Sequence, residues 1–433
     1  MILEVSKIGK LLVGPAGESD RPLSSWYPTC DPEPCAPEVE ASRRALRGVR
    51  FLFLLSSLEL AGAERQAIHL AAFLKHVLNA DVEVWGYGAP GSAAELCDRK
   101  ALRFSSFTNP LQGRHLSKLS GLTSFIRQVR HAHADVLMPY TMAPNILCAL
   151  TWRLTKARLC VWNQRDEGRG RVRRLVEWLA LRQVPMFISN SAHAKEFLIG
   201  TVNAKANRVY VVRNGIELSP AKVSRQQWRL DHEIPSGHFV ACMVANLHRF
   251  KGHSTLLQAW SRVVADLSPR GRGATLLLAG RFDDMTQPIR TLARDLNLGR
   301  SVRFLGHVTD IPSLLNAVDL GVFSSRLEGC PNGVLECMAA GLPVAATDIP
   351  GIREALGSES EDALSPPGDY EAIASKITRL MHDAALRQRY GLMNRERVER
   401  VFGVDRMCLE TAALIGRALQ SVKSFPQSQA GDA

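Results

Sequence analysis

No apolar run in this chain of 433 residues reaches the roughly 18–20 residues that a membrane-spanning helix needs. The first apolar stretch, Leu11-Leu12-Val13, is too short for the core of a secretory leader. Both absences point to a cytoplasmic protein. No Cys-x-x-Cys pair occurs, and the nine cysteines are scattered over the whole chain. Cys148, Cys160 and Cys242 sit inside apolar runs, where reduced buried thiols are common. Cys30 and Cys35 flank Asp-Pro-Glu-Pro, but no second pair follows to complete a metal site. His131 and His133 are two positions apart, a poor spacing for two ligands on one helix face; they read as surface or packing residues. No aromatic platform or recognition motif supports nucleic-acid binding.

What is present is a large, well-packed composition, 46% hydrophobic and 22% charged. The length suits two domains rather than one. The net charge of +12 is unevenly placed: residues 48–215 carry 23 Lys and Arg against 11 Asp and Glu, whereas residues 216–433 carry 25 against 24. A basic first half can attract anionic lipid, a phosphate-bearing substrate or nucleic acid; the alternative is a solvated, Arg-rich surface.

Residues 1–47 read as an irregular tail, since Pro-Thr-Cys-Asp-Pro-Glu-Pro-Cys-Ala-Pro-Glu cannot hold a regular element. Arg50–Ser57 is a nearly continuous apolar run, as in a strand buried on both faces. Strand-like and helix-like segments then alternate to about residue 215, break at the polar stretch 216–237, and resume. Such βα alternation predicts parallel sheets with helices on both faces. The expected division is 48–215 as one Rossmann-like domain and 216–403 as a linker plus a second. A helix over 404–421 is expected to pack back towards the first domain, before a tail at 422–433. Ligands of such sheets bind beyond the carboxyl ends of the strands.

One such strand end carries the densest chemistry. Leu320–Ser325 reads as a strand, followed by Arg-Leu-Glu-Gly-Cys-Pro-Asn-Gly and an apolar helix. Asn332 can cap that helix, leaving the amides of Gly333, Val334 and Leu335 as an anion site suited to a diphosphate. Glu336, one turn in, can accept hydrogen bonds from a vicinal diol such as ribose. Glu328, before the turn, can reach a sugar. The alternative is a capped helix with two solvated glutamates.

The stretch 328–344, EGCPNGVLECMAAGLPV, resembles the Glu-x7-Glu motif of retaining glycosyltransferases of family 4, with Cys337 where alanine is usual. The resemblance implies an α/β fold of the GT-B type, two doubly wound Rossmann-like domains facing a cleft. It implies that Glu328 contacts the donor sugar, Glu336 the ribose, and the backbone of Asn332–Leu335 the diphosphate. Residues 244–260 are similar to the family's first donor-domain loop. There Lys251 matches the family lysine, Asn246 stands at the family arginine, and Arg249 is the candidate replacement. Two cations would stabilise the departing nucleoside diphosphate. Residues 58–74 resemble the glycine-rich loop of the acceptor domain, with Gly62 letting the backbone approach the donor phosphate and Glu64 in the first helical turn. Residues 209–218 resemble the stretch at the domain junction. The family's acceptor-domain histidine has no counterpart in Asn163-Gln164-Arg165-Asp166; Arg165, Asp166 and Tyr140 are candidates for the acceptor or the donor sugar by their places at strand ends.

The resemblance implies transfer with retention from a UDP- or GDP-sugar to a hydroxyl of a glycan or lipid-linked glycan, in surface polysaccharide or glycolipid synthesis. No Asp-x-Asp motif occurs, and no metal or further cofactor is expected. The basic first half suits an anionic membrane, so a peripheral place at its inner face is expected. An epimerase or phosphorylase of the same fold and an inactive nucleotide-binding scaffold are the alternative readings.

Overall fold

The strand β1 (Arg50–Leu55) shows how the first unit is built. Phe51, Phe53 and Leu55 enter one apolar cluster and Leu52 and Leu54 another on the opposite face, so the run is apolar throughout because helices cover both sides. The computed structural model describes residues 37–110, 115–165, 174–267 and 273–423. These form two units, one from the chain up to Gly215 together with the segment from Val404, the other from Ile216 to Gly403.

In the first unit α1 (Pro37–Leu46) precedes β1. Then come α2 (Gly62–His76), β2 (Asp81–Tyr87), α3 (Ser92–Arg99), β3 (Arg103–Phe107) and α4 (His115–His131). β4 (Val136–Pro139), α5 (Met142–Thr155), β5 (Leu159–Gln164), α6 (Arg174–Gln183), β6 (Met186–Ser189), α7 (Ala192–Gly200) and β7 (Val209–Val211) follow. The strands pair in parallel in the order β3-β2-β1-β4-β5-β6-β7. The order reverses between β1 and β4, the place where such sheets open a crevice.

The second unit starts with α8 (Arg225–Asp231), β8 (Phe239–Val244), α9 (His253–Leu267), β9 (Ala274–Ala279), α10 (Thr286–Asp295) and β10 (Val302–Gly306). It continues with α11 (Ile311–Asn316), β11 (Leu320–Phe323), α12 (Asn332–Ala339), β12 (Val344–Thr347), α13 (Pro350–Leu356) and β13 (Leu364–Ser365). α14 (Tyr370–His382) and α15 (Ala384–Val401) close it. Its parallel order is β10-β9-β8-β11-β12-β13, reversing between β8 and β11. Local chemistry sets the helix starts: Asp310, Asp369 and Asp383 each accept a first-turn amide of α11, α14 and α15, a cap worth about 1 kcal/mol.

Two expectations need correction. The irregular tail 1–47 does not hold for residues 37–46, which are α1; residues 1–36 lie outside the described residues. Pro37 opens the helix, Glu38 and Glu40 lie in its first turn, and Arg43 and Arg44 in its last, all suited to the helix dipole. Val39 and Leu46 are buried with Met407, Cys408 and Ile415 of the last helix, α16 (Val404–Lys423), a partner no local reading could supply. The linker over 216–237 likewise contains α8. Arg225 and Arg229 both grip Asp319, the latter at 2.8 Å, and Trp228 is buried. The tail expected from 422 lies outside the described residues beyond Lys423.

Candidate functional site

The second unit concentrates its chemistry at the switch point between β8 and β11. After β8 the chain makes a short 3₁₀ turn, Arg249–Lys251, and enters α9 through Gly252 at φ +69°. A Cβ at Gly252 would lie 2.0 Å from the Ser324 carbonyl oxygen, so only glycine permits this approach. Ser324 Oγ donates to the Gly252 carbonyl at 2.8 Å, and the Arg326 amide donates to the Phe250 carbonyl at 2.8 Å. The two loops are thereby fastened together.

This fastening brings Lys251 to Glu328. Nζ donates to Oε1 at 2.6 Å, with the two side chains 22% and 8% exposed. Ser325 Oγ donates to the same oxygen at 2.8 Å, while Thr347 Oγ1 holds the Ser325 carbonyl at 2.5 Å. The start of α13 presses on the Glu328 backbone: a Cβ on Gly351 would stand 2.2 Å from the Glu328 carbonyl oxygen. Glu328 is thus fixed from three sides.

α12 begins just beyond. Asn332 is its first residue rather than its cap; Pro331 holds the cap position with no side-chain cap bond. The Leu335 amide already donates to the Pro331 carbonyl at 3.1 Å, so the expected anion-binding role of the Leu335 amide is corrected. Gly333 and Val334, in the first turn, have no partner within the helix by its geometry. Gly333 is obligatory, since a Cβ there would lie 2.2 Å from the Val244 carbonyl oxygen. Glu336 is half-buried one turn along, close enough to the buried Cys337 and Cys242 to add to the burial that raises both thiols.

Arg249 is exposed, its guanidinium 5.0 Å from the Phe250 ring centroid. Asn246, at the family arginine position, serves the loop itself, where its Oδ1 accepts the Arg281 amide at 3.0 Å. His253 was not foreseen. It is 2% exposed beneath this loop, and neither ring nitrogen makes a well-formed hydrogen bond. Burial, then the charge of Lys251, lowers its pKa to about 4, which the Ala245 backbone offsets only in part. His248, Asp283 and Asp284 bring possible ligand atoms within 4.8 Å of one another. Two of them already serve the loop: Asp284 accepts the Arg249 amide and Asp283 the Asp284 amide.

The first unit has its own polar centre where β4, β5 and β6 end. Arg165 donates to Asn214 Oδ1 at 3.3 Å and to Asn163 Oδ1 at 3.2 Å, and its guanidinium lies 4.6 Å from the Tyr140 ring centroid. Asn145 exchanges two bonds with the Asn163 backbone, and Asn190 Nδ2 donates to the Arg165 carbonyl. Tyr140 is fully buried, and burial raises its phenol pKa. It is therefore a platform under Arg165 rather than a surface for a ligand. Asp166 lies outside the described residues. Gly62 is the first residue of α2, and Glu64 is buried in the first turn with Ser56 Oγ at 3.2 Å. Gln66, also unforeseen, exchanges two 2.9 Å bonds with the Gly215 backbone.

Two family descriptions match this chain: "Glycosyltransferase Family 4" over residues 60–220 and "Glycosyl transferases group 1" over residues 238–383. Together they cover most of it. The chain belongs to the family 4 glycosyltransferases, with the two Rossmann-like units of the GT-B fold. It is 27% identical over 233 residues to the capsular polysaccharide biosynthesis glycosyltransferase CapM of Staphylococcus aureus, covering 53% of this chain and 60% of CapM. It is 23% identical over 296 residues to the UDP-Gal:alpha-D-GlcNAc-diphosphoundecaprenol alpha-1,3-galactosyltransferase of Escherichia coli, covering 65% and 76%. The crystal structure of Anabaena HepE in complex with UDP and glucose superposes with a TM-score of 0.75 at 20% identity, covering 85% of this chain and all of HepE. That likeness speaks for the fold.

Proposed function

We propose that the protein transfers a sugar from a nucleoside diphosphate sugar, UDP- or GDP-linked, to a hydroxyl of a glycan or lipid-linked glycan in surface polysaccharide or glycolipid synthesis. The observation that carries this reading is the Lys251–Glu328 contact at 2.6 Å at the switch point, directly before the first turn of α12. Family membership supports it, as does the similarity to CapM and to the diphosphoundecaprenol-dependent galactosyltransferase.

In this reading the donor diphosphate lies against the Gly333 and Val334 amides, with Lys251 and Arg249 as counter-charges. Its arrival draws Lys251 from Glu328, which then accepts hydrogen bonds from the donor sugar; Glu336 takes the ribose diol. As the glycosidic oxygen departs with the diphosphate, its growing charge meets fixed cations and amides that need no reorganisation. These groups supply what a divalent ion would, so no metal requirement is proposed. The acceptor hydroxyl attacks from the face the diphosphate leaves, passing its proton to a departing phosphate oxygen, and the anomeric configuration is retained. Arg165, set on Tyr140, and Asp166 serve the acceptor side. The protein works in the cytoplasm, peripherally at the membrane's inner face. Among the described residues no helix is long and apolar enough to cross a membrane.

The test is release of nucleoside diphosphate from a panel of UDP-, GDP- and ADP-sugars, with free and lipid-linked glycans as acceptors and no added metal. Acceptor-dependent release with an axial or equatorial linkage matching the donor is expected. Conversion of the sugar in donor alone, or inverted product, overturns the reading.

A further inference from the structure

A cavity of about 460 Å³ opens in the first unit at the amino ends of β6 and β7, away from the strand ends discussed above. That volume is typical of a ligand pocket. Trp178, Leu181 and Phe187 form its apolar wall, and Arg182, Lys205 and Arg208 its charged rim. Among the described residues no carboxylate lines it, and none of the three cations is ion-paired. The Arg182 guanidinium instead lies 4.3 Å from the Trp178 ring centroid, and Arg208 Nη1 donates to the Val184 carbonyl at 3.5 Å.

The surface beside the cavity has the same character. Trp178 and Leu179 on α6 are 42% and 43% exposed. Trp152 Nε1 donates to the Gln183 carbonyl at 3.2 Å, tying the end of α5 to the end of α6. There Leu154 is 55% exposed, between the exposed Arg153 and Lys156. Large apolar side chains therefore stand among cations that, among the described residues, have no carboxylate partner, in the half of the chain that carries the whole positive excess. A nucleic acid would use the cations and could stack on Trp178, but it leaves the exposed Leu154 and Leu179 without a partner. An anionic bilayer uses both, its phosphates taking the cations and its interface the apolar side chains.

We infer that this end of the first unit docks on an anionic phospholipid surface, with a lipid phosphate held between Arg182, Lys205 and Arg208 at the mouth of the cavity. The inference rests on the reading of a lipid-linked acceptor and a peripheral location.

The full chain is tested by flotation with phosphatidylglycerol-containing vesicles and with phosphatidylcholine vesicles, at low and high salt. The wild type is expected to float only with the anionic vesicles, and less at high salt. R182E/R208E reverses two charges and is expected to cut partitioning at least tenfold. W178S/L179S removes the apolar contribution and is expected to lower the fraction that survives high salt. R300E, an exposed charge reversal in the second unit, leaves flotation unchanged. Affinity for UDP and for GDP, measured on the same preparations, stays at the wild-type value in every variant. A wild type that binds UDP or GDP but does not float, or pairs of variants that float as well as the wild type, overturns the docking surface. A wild type that binds neither UDP nor GDP would instead count against the glycosyltransferase reading.

Discussion

His253 offers a perturbation whose size follows from the structure. In an unfolded chain its imidazole titrates near 6.5, and in the folded protein near 4, because burial disfavours the cation and Lys251 adds repulsion. As pH falls the unfolded chain therefore takes the proton first. The stability that His253 contributes is fully present above about 6.5 and is lost between there and about 4, below which both states are protonated. At about 1.36 kcal/mol per pK unit, roughly 2 kcal/mol is lost by about pH 5 and on the order of 3 kcal/mol in full. Replacing the ring should remove this dependence. Neither ring nitrogen makes a well-formed hydrogen bond, so His253→Leu should change stability by less than about 1 kcal/mol near pH 7.5. Urea unfolding of the full chain at about pH 7.5 and pH 5, with unchanged m-values, measures both. The wild type should lose about 2 kcal/mol more than the variant between the two conditions. Equal losses would refute the placement of a neutral imidazole beneath the Lys251 loop.

Three further outcomes follow from single contacts. Lys251→Met strands a nearly buried carboxylate, so it should cost about 2–4 kcal/mol. Lys251→Met with Glu328→Gln should recover more than about 1 kcal/mol of the summed single effects in a double-mutant cycle; additivity would show that the two do not interact. Gly333→Ala puts a Cβ 2.2 Å from the Val244 carbonyl oxygen and should destabilise by about 1–3 kcal/mol while weakening UDP binding; wild-type UDP affinity would show that the α12 start is not used. Gln66→Leu leaves both polar groups of the Gly215 backbone without their side-chain partner and should lower stability by about 2 kcal/mol in urea unfolding.

The segment proposed to hold the donor was legible as strand, turn and helix because it is contiguous. Glu328, the Pro-Asn-Gly turn and Glu336 follow one another closely, and hydrophobic periodicity places the strand before them and the helix after. The sheet order was not legible beyond its parallel character, since which strands neighbour one another depends on crossovers. Lys251 and Glu328 were each visible, but their contact spans 77 positions and is made by Ser324 against Gly252, a fit no local pattern announces. The helix start was misjudged by one residue because Pro331 competes with Asn332 for the cap, and that shift uses the Leu335 amide. α1 was missed because its stability comes from α16, at the other end of the chain. His253 was not singled out, since nothing in the sequence marks the first residue of a helix after Lys251-Gly252 as buried.

The most direct measurement is a crystal structure of the protein soaked with a UDP-sugar or its non-hydrolysable analogue. The phosphates are predicted to accept hydrogen bonds from the Gly333 and Val334 amides, with Lys251 Nζ moved from Glu328 to a phosphate oxygen and Glu336 bonded to both ribose hydroxyls. A nucleotide bound elsewhere, or bound here with the Lys251–Glu328 bond intact and no phosphate on the α12 amides, would contradict the account.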